Sequence, residues 1–178
     1  MTAWIALLRG VNVGGIAIRS SDLAALFESD LGFENVRTYL ASGNVRFETD
    51  AETGARAKLK SAIEAALRER FGYDAWIVLV TLAEIHRAIE KFSFDAGDDA
   101  RQPWVIFCVD DLTRDELAEA AASIDPDVDP VQTGPGVVYW NPPKGSSTDT
   151  PFAKILAKAA YKSRTTNRNL RTLAKIAA

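Results

Sequence analysis

The strongest constraint on this chain is an apolar run without alternation, Trp4-Ile5-Ala6-Leu7-Leu8, which breaks off at once into Arg9-Gly10-Val11-Asn12-Val13-Gly14-Gly15. Such a run predicts a strand covered on both faces, and therefore one central in its sheet. The remaining elements must supply neighbours for it. The loop that follows has three glycines and an asparagine, residues that accept positive φ and bring backbone N–H groups to the surface. N–H groups gathered in this way form a concave nest that suits an anion.

After the loop, Ser20 or Ser21 is expected to cap a helix with Leu23, Leu26, Phe27 and Leu31 on its apolar stripe, stopped by Gly32. Residues 35–40 read as a second strand, 41–43 as a turn, and 44–48 as a third strand with Val45 and Phe47 on one face. A long helix is expected over roughly 52–71, with Leu59, Ile63, Ala66, Leu67 and Phe71 at helical spacing and Gly72 as terminator. Residues 75–80 supply a fourth strand. The order β-α-β-β-α-β is the ferredoxin-like, split βαβ plait.

Thr81-Leu82-Ala83-Glu84 is a capping box for a connecting helix through Lys91, and 94–103 is an acidic loop. The plan then recurs, with a strand at 104–109 and a capping box Thr113-Arg114-Asp115-Glu116 leading a helix to about 124. A hairpin follows over 128–140 through Gly134-Pro135-Gly136, then a helix from Thr150-Pro151 with Phe152, Ile155, Leu156 and Ala159 inward. Lys154, Lys158 and Lys162 are spaced to form one basic ridge on that helix. The last helix, about 169–178, has no evident strand before it. The expected fold class is α+β: two ferredoxin-like subdomains, antiparallel sheets with helices on one face, the second incomplete, and a C-terminal helix. The expected boundaries are 1–80, a connecting helix and loop at 81–103, and 104–178.

In this topology the first and third strands are antiparallel neighbours, so the end of the first lies beside the start of the third. Arg9, Gly10, Asn12, Gly14 and Gly15 then share an edge with Ser42, Gly43 and Asn44, and Arg168 and Asn169 at the start of the last helix are candidate helpers. A guanidinium fork, amides, a hydroxyl and bare N–H groups suit a phosphate or carboxylate. The same residue types also build turns that bind nothing, and Glu48 or Asp22 could pair with Arg9.

Other chemistry is poorly supported. His86 is the sole histidine and lies off the apolar stripe of its helix, and Cys108 sits inside an apolar strand, so neither a His-based metal cluster nor a Cys-His pair is expected. Asp110-Asp111 could hold Mg²⁺ but reads more simply as a polar strand exit. Both nucleotide-loop fingerprints fail, no cofactor is expected, and no general base is tied to the glycine loop by spacing, so catalytic residues stay unassigned. Tyr139-Trp140 could stack a ring, although packing on a helix is the simpler reading.

Net charge is −3, but residues from Lys144 onward carry eight Lys or Arg against one acid, a net +7, leaving −10 in the first 143. Such asymmetry marks either a basic arm for nucleic acid or a tail docked on its own acidic body. No apolar run approaches a membrane span, no leader is evident, and one cysteine fits a reducing compartment, so a cytoplasmic protein is expected. The first functional expectation is a module holding a phosphate-bearing small ligand or nucleotide at the glycine loop. Nucleic-acid binding through the basic C-terminal third is the alternative, and an enzyme of unassigned reaction at the same loop is a third.

Arg9–Gly15, Gly32-Phe33-Glu34-Asn35-Val36-Arg37-Thr38-Tyr39 and Ser42-Gly43-Asn44-Val45 together resemble the N-terminal signature of a bacterial family of uncharacterised proteins, domain of unknown function 1697. The family's C-terminal Thr-Thr-Arg-Asn-Trp-Asn-Thr segment is matched at Thr166, Arg168, Asn169 and Thr172. It departs at Asn167 and Arg171, and Leu170 stands where the family has tryptophan. The resemblance implies a pair of ferredoxin-like subdomains and a shared surface at Arg9–Gly15, and it implies no activity.

Overall fold

The computed structural model describes residues 1–10, 17–40, 43–72 and 74–178. The chain divides into two units, Met1–Glu84 and Ile85–Ala178, so the expected connector 81–103 is shared between them.

In the first unit β1 (Thr2–Arg9) is central, and the sheet order is β2-β3-β1-β4 with β2 at Glu34–Tyr39, β3 at Asn44–Thr49 and β4 at Trp76–Thr81. Trp4 through Leu8 are each 1% exposed or less, as a strand apolar on both faces requires. Trp4, Ala6 and Leu8 join Val45, Phe47, Ile77 and Leu79 on the helix-covered face. Against them pack Leu23 of α1 (Ser20–Ala25), Leu26 and Phe27 of the wider π-helical turn that continues it (Leu26–Asp30), and Leu59, Ile63 and Leu67 of α2 (Arg56–Phe71). Gly72 ends α2 at φ 69°, the left-handed stop its sequence promised. Arg19, not Ser20 or Ser21, is the N-cap of α1, and it makes no side-chain cap bond. Ser20 already lies inside the helix, and Asp22 supplies first-turn negative charge instead. The Thr81 capping box forms as read: Thr81 N–H donates to Glu84 Oε2 at 2.7 Å and Glu84 N–H to Thr81 Oγ1 at 3.2 Å, opening α3 (Leu82–Glu90).

The second unit repeats the plan in full. Its sheet order is β6-β7-β5-β8, with β5 at Trp104–Cys108, β6 at Val131–Gly134, β7 at Val137–Trp140 and β8 at Thr165–Asn169. The strand expected to be missing is therefore present. It escapes a hydropathy reading because its residues are Thr-Thr-Asn-Arg-Asn, yet β5 pairs with it from Cys108↔Thr165 to Trp104↔Asn169. Further corrections concern helix ends. Asp110, not Thr113, caps α4 (Asp111–Ala121), because its Oδ1 accepts from both the N–H and the hydroxyl of Thr113, at 2.8 and 2.6 Å. The Thr150 cap and N1 proline of α5 (Pro151–Leu156) form as read. That helix stops at Leu156, however, and Lys158 is extended ahead of a 3₁₀ turn at Ala159–Tyr161, so Lys154, Lys158 and Lys162 share no helical ridge and Ala159 is exposed. The closing helix, α6 (Leu170–Ala177), is capped by Asn169.

The core of this unit is Ile106, Cys108, Leu117, Val138, Trp140, Phe152 and Ala153. Asp129 is buried within it, its carboxylate accepting from Trp140 Nε1 at 2.5 Å and Phe152 N–H at 2.8 Å. The buried Tyr139 hydroxyl donates to Ala88 O at 2.8 Å.

Burial pushes the Cys108 thiol up to about 12 from 9.0 and the Tyr139 phenol up to about 12 from 10.0. Both values rise on folding, so the stabilisation is fully present below the unfolded values and is lost as pH climbs through the folded ones. Denaturant unfolding at stepped pH is expected to show stability falling between about pH 9 and 12, with a shallower fall in Tyr139→Phe above pH 10. A stability that stays level to pH 11.5 would contradict these assignments.

Candidate functional site

The register of β1 and β3 decides whether the two glycine-bearing bends meet. The strands are antiparallel, from Thr2↔Thr49 to Leu7↔Asn44, and Leu8 N–H donates to Gly43 O at 2.8 Å. The end of β1 and the start of β3 thus lie side by side, and Gly43 is a direct hydrogen-bonded neighbour of the residue before Arg9. On the other side of β1, Arg9 pairs with Trp76 at the start of β4. Across the rim the order is Tyr39 and Leu40, then Gly43 and Asn44, then Arg9 and Gly10, then Trp76.

Backbone geometry at this rim is unusual. Gly10 has φ 80° and Gly43 φ 77°, conformations that glycine takes without a Cβ penalty. Leu40 also has positive φ, 57°, and its side chain is half exposed. A bulky residue in that region costs on the order of 1–2 kcal/mol, and strain of this kind concentrates at ligand clamps and switches.

The individual candidates have different roles. Arg9 is partly buried, and that burial lowers its pKa from the ordinary value; the guanidinium still carries its charge at neutral pH. A partly desolvated cation attracts an anion more strongly than a fully hydrated one. Glu48 is not its partner: it pairs with Ala3, six positions back along β1 or about 20 Å away, and accepts from Asn35 Nδ2 at 2.7 Å. Asn44 is 1% exposed, and its Nδ2 donates to Tyr39 O at 2.9 Å, so this amide fastens the β2–β3 turn. Asn12, Gly14, Gly15 and Ser42 lie outside the described residues.

Arg168 and Asn169 belong to the other unit. Arg168 lies in β8 rather than in the last helix. It is 8% exposed and donates to Thr166 Oγ1 at 2.6 Å and Asn167 O at 2.9 Å. Asn169 Oδ1 accepts from Arg171 N–H at 2.9 Å as the cap of α6. Both make local structural bonds.

Two features of the rim have little signature in sequence. Strand alternation puts Arg9, Ile5 and Leu7 on the face of the first sheet away from its helices, together with their cross-strand partners Arg46, Asn44, Trp76, Val78 and Val80. Arg37 stands directly opposite Arg46 on that face, a like-charge pair costing roughly 0.2–1 kcal/mol. Three arginines therefore share this face, while Glu34 and Glu48 oppose each other at its far end. Trp76 is missed because residues 75–80 read as one buried strand. Pairing β4 to β1 in the expected topology is what exposes its position beside Arg9.

Elsewhere, a concavity of about 530 Å³ lined by alanines, Leu31 and Glu69 is bordered by Arg70 and Asp30, which pair with each other at 2.8 Å. Its charges largely answer one another. Among the described residues no three His, Cys, Asp or Glu side chains are grouped to hold a metal, and no helix is long and apolar enough to cross a membrane.

The family described as protein of unknown function, DUF1697, matches residues 1–139, which include the whole of this rim. The chain belongs to this family. No curated protein matches the DUF1697 chain. Among solved structures it is similar to the conserved bacterial protein SP0830 from Streptococcus pneumoniae, at 24% identity and a TM-score of 0.81, covering 99% of this chain and 97% of that one. That likeness shows the shared fold, two four-stranded antiparallel sheets with helices. The family match ends before β8, so Thr166, Arg168, Asn169 and Thr172 lie beyond it.

Proposed function

We propose that this DUF1697 chain is a binding module that holds the phosphate of a small ligand at the rim formed by Arg9, Gly10 and Gly43. The observation that supports the reading is the β1–β3 register, which brings Arg9, a partly desolvated cation, into the same rim as two backbone positions held at positive φ. The arginine-bearing face behind the rim favours the same sign of ligand. The ridge that would have favoured a polyanion on the C-terminal third is absent, because α5 ends at Leu156.

Thermal melting across a panel of nucleotides and sugar phosphates tests this. A ligand at about one hundred times its Kd is expected to add about 2.7 kcal/mol, or roughly 5–10 °C for a chain of this length. Arg9→Ala is expected to remove the shift while the variant stays folded, and Arg9→Lys to recover part of it, since an ammonium keeps the charge and loses the fork. An unmoved melting point with every phosphate-bearing compound would overturn the reading.

A further inference from the structure

Of the chain's four tryptophans, Trp4 and Trp140 are 0% and 1% exposed and Trp104 is partly buried, whereas Trp76 is 42% exposed. The exposure is local, since the rest of β4, from Ile77 to Thr81, is buried. A large aromatic left 42% exposed at the end of an otherwise buried strand forgoes part of its burial free energy. Its position carries further information. Trp76 is the cross-strand partner of Arg9, on the same face, and side-chain roots in such a pair stand roughly 5 Å apart. On the other side of Arg9, beyond Gly43, the strained and half-exposed Leu40 adds a second apolar group to the rim.

Cation, positive-φ backbone and exposed indole thus lie in a row, and this row has the chemistry of a particular ligand class. A phosphate alone needs only the first two. We infer that Trp76 is a stacking platform for a planar heterocycle whose phosphate lies at Arg9 and Gly10, so that the ligand is a nucleoside phosphate, either free or as the end of a single strand. This rests on the phosphate reading above and adds the ring to it. Stacking tolerates any base because every base has a π-face, so the site selects nucleotides as a class and discriminates weakly among bases.

Binding of adenosine, guanosine and uridine 5′-monophosphates is compared with that of ribose 5-phosphate, by tryptophan fluorescence and calorimetry. The nucleotides are expected to bind about 10- to 100-fold more tightly than ribose 5-phosphate and to quench emission. Trp76→Ala is expected to erase that advantage and leave ribose 5-phosphate affinity unchanged, and Trp76→Phe to keep most of it. Because Trp76 is exposed, melting of both variants near the wild-type temperature verifies that they are folded. A trinucleotide binding more tightly than a monophosphate identifies the strand end as the ligand, and equal binding identifies the free nucleotide; either supports the inference. Nucleotide and ribose phosphate binding equally, both dependent on Arg9, would overturn the role of Trp76 and leave the phosphate site standing. No Arg9-dependent binding of any probe would overturn both.

Discussion

Asp129→Ala is expected to cost the second unit about 3–5 kcal/mol and to lower its melting temperature by about 10 °C or more. Asp129 is 1% exposed, and one carboxylate serves two donors from different elements, the indole of Trp140 on β7 and the first free N–H of α5 at Phe152. Removing it strands both donors in a dry interior, at about 1–3 kcal/mol each, and leaves a void beside the Trp140–Phe152 edge-to-face pair, whose centroids are 5.5 Å apart. Asp129→Asn keeps one acceptor oxygen and is expected to lose about half as much. Denaturant titration of the three proteins checks this. A loss under 1 kcal/mol for the alanine variant would show that solvent reaches the site.

Phe47→Ala is expected to have a comparable effect on the first unit, about 3–5 kcal/mol. Phe47 is fully buried on β3 opposite Trp4, edge-on to Phe27 at 5.3 Å and stacked on Phe33 at 4.5 Å. It joins the sheet to the π-helical turn and to the loop before β2, so its removal opens a cavity that three elements would have to move to fill. Phe47→Leu, which keeps most of the volume, is expected to cost less than half as much. Equal losses for the two variants would contradict a packing origin.

The first unit is largely legible because β1 and β4 are apolar runs, β3 alternates with Val45 and Phe47 on one face, and its helices end at glycines that take positive φ, as at Gly32 and Gly72. The antiparallel meeting of β1 and β3 followed from element order alone, and with it the juxtaposition of Arg9 with Gly43. What escaped reading depends on tertiary context. β8 is a strand because β5 requires a partner, although its own residues are polar. Asp110 outcompeted the Thr113 capping box because a carboxylate three residues earlier captures both the N–H and the hydroxyl of that threonine. Asp129 is one of three acids in the stretch Asp-Pro-Asp-Val-Asp-Pro, and nothing local distinguishes the buried one. Asn44 is a candidate ligand amide by residue type, and its Nδ2 donation to Tyr39 O is a tertiary detail that the sequence does not announce. Trp76 falls within the apolar run 75–80, yet as the first residue of β4 it lies at the rim beside Arg9.

Crystals of the wild-type chain soaked in tungstate, a phosphate mimic with a strong anomalous signal, test the anion site most directly. The expected result is an anomalous peak whose oxygens lie about 3 Å from the Arg9 guanidinium and from backbone N–H groups of the adjoining bends. Peaks at other basic surfaces, with the Arg9 rim empty at saturating tungstate, would contradict it.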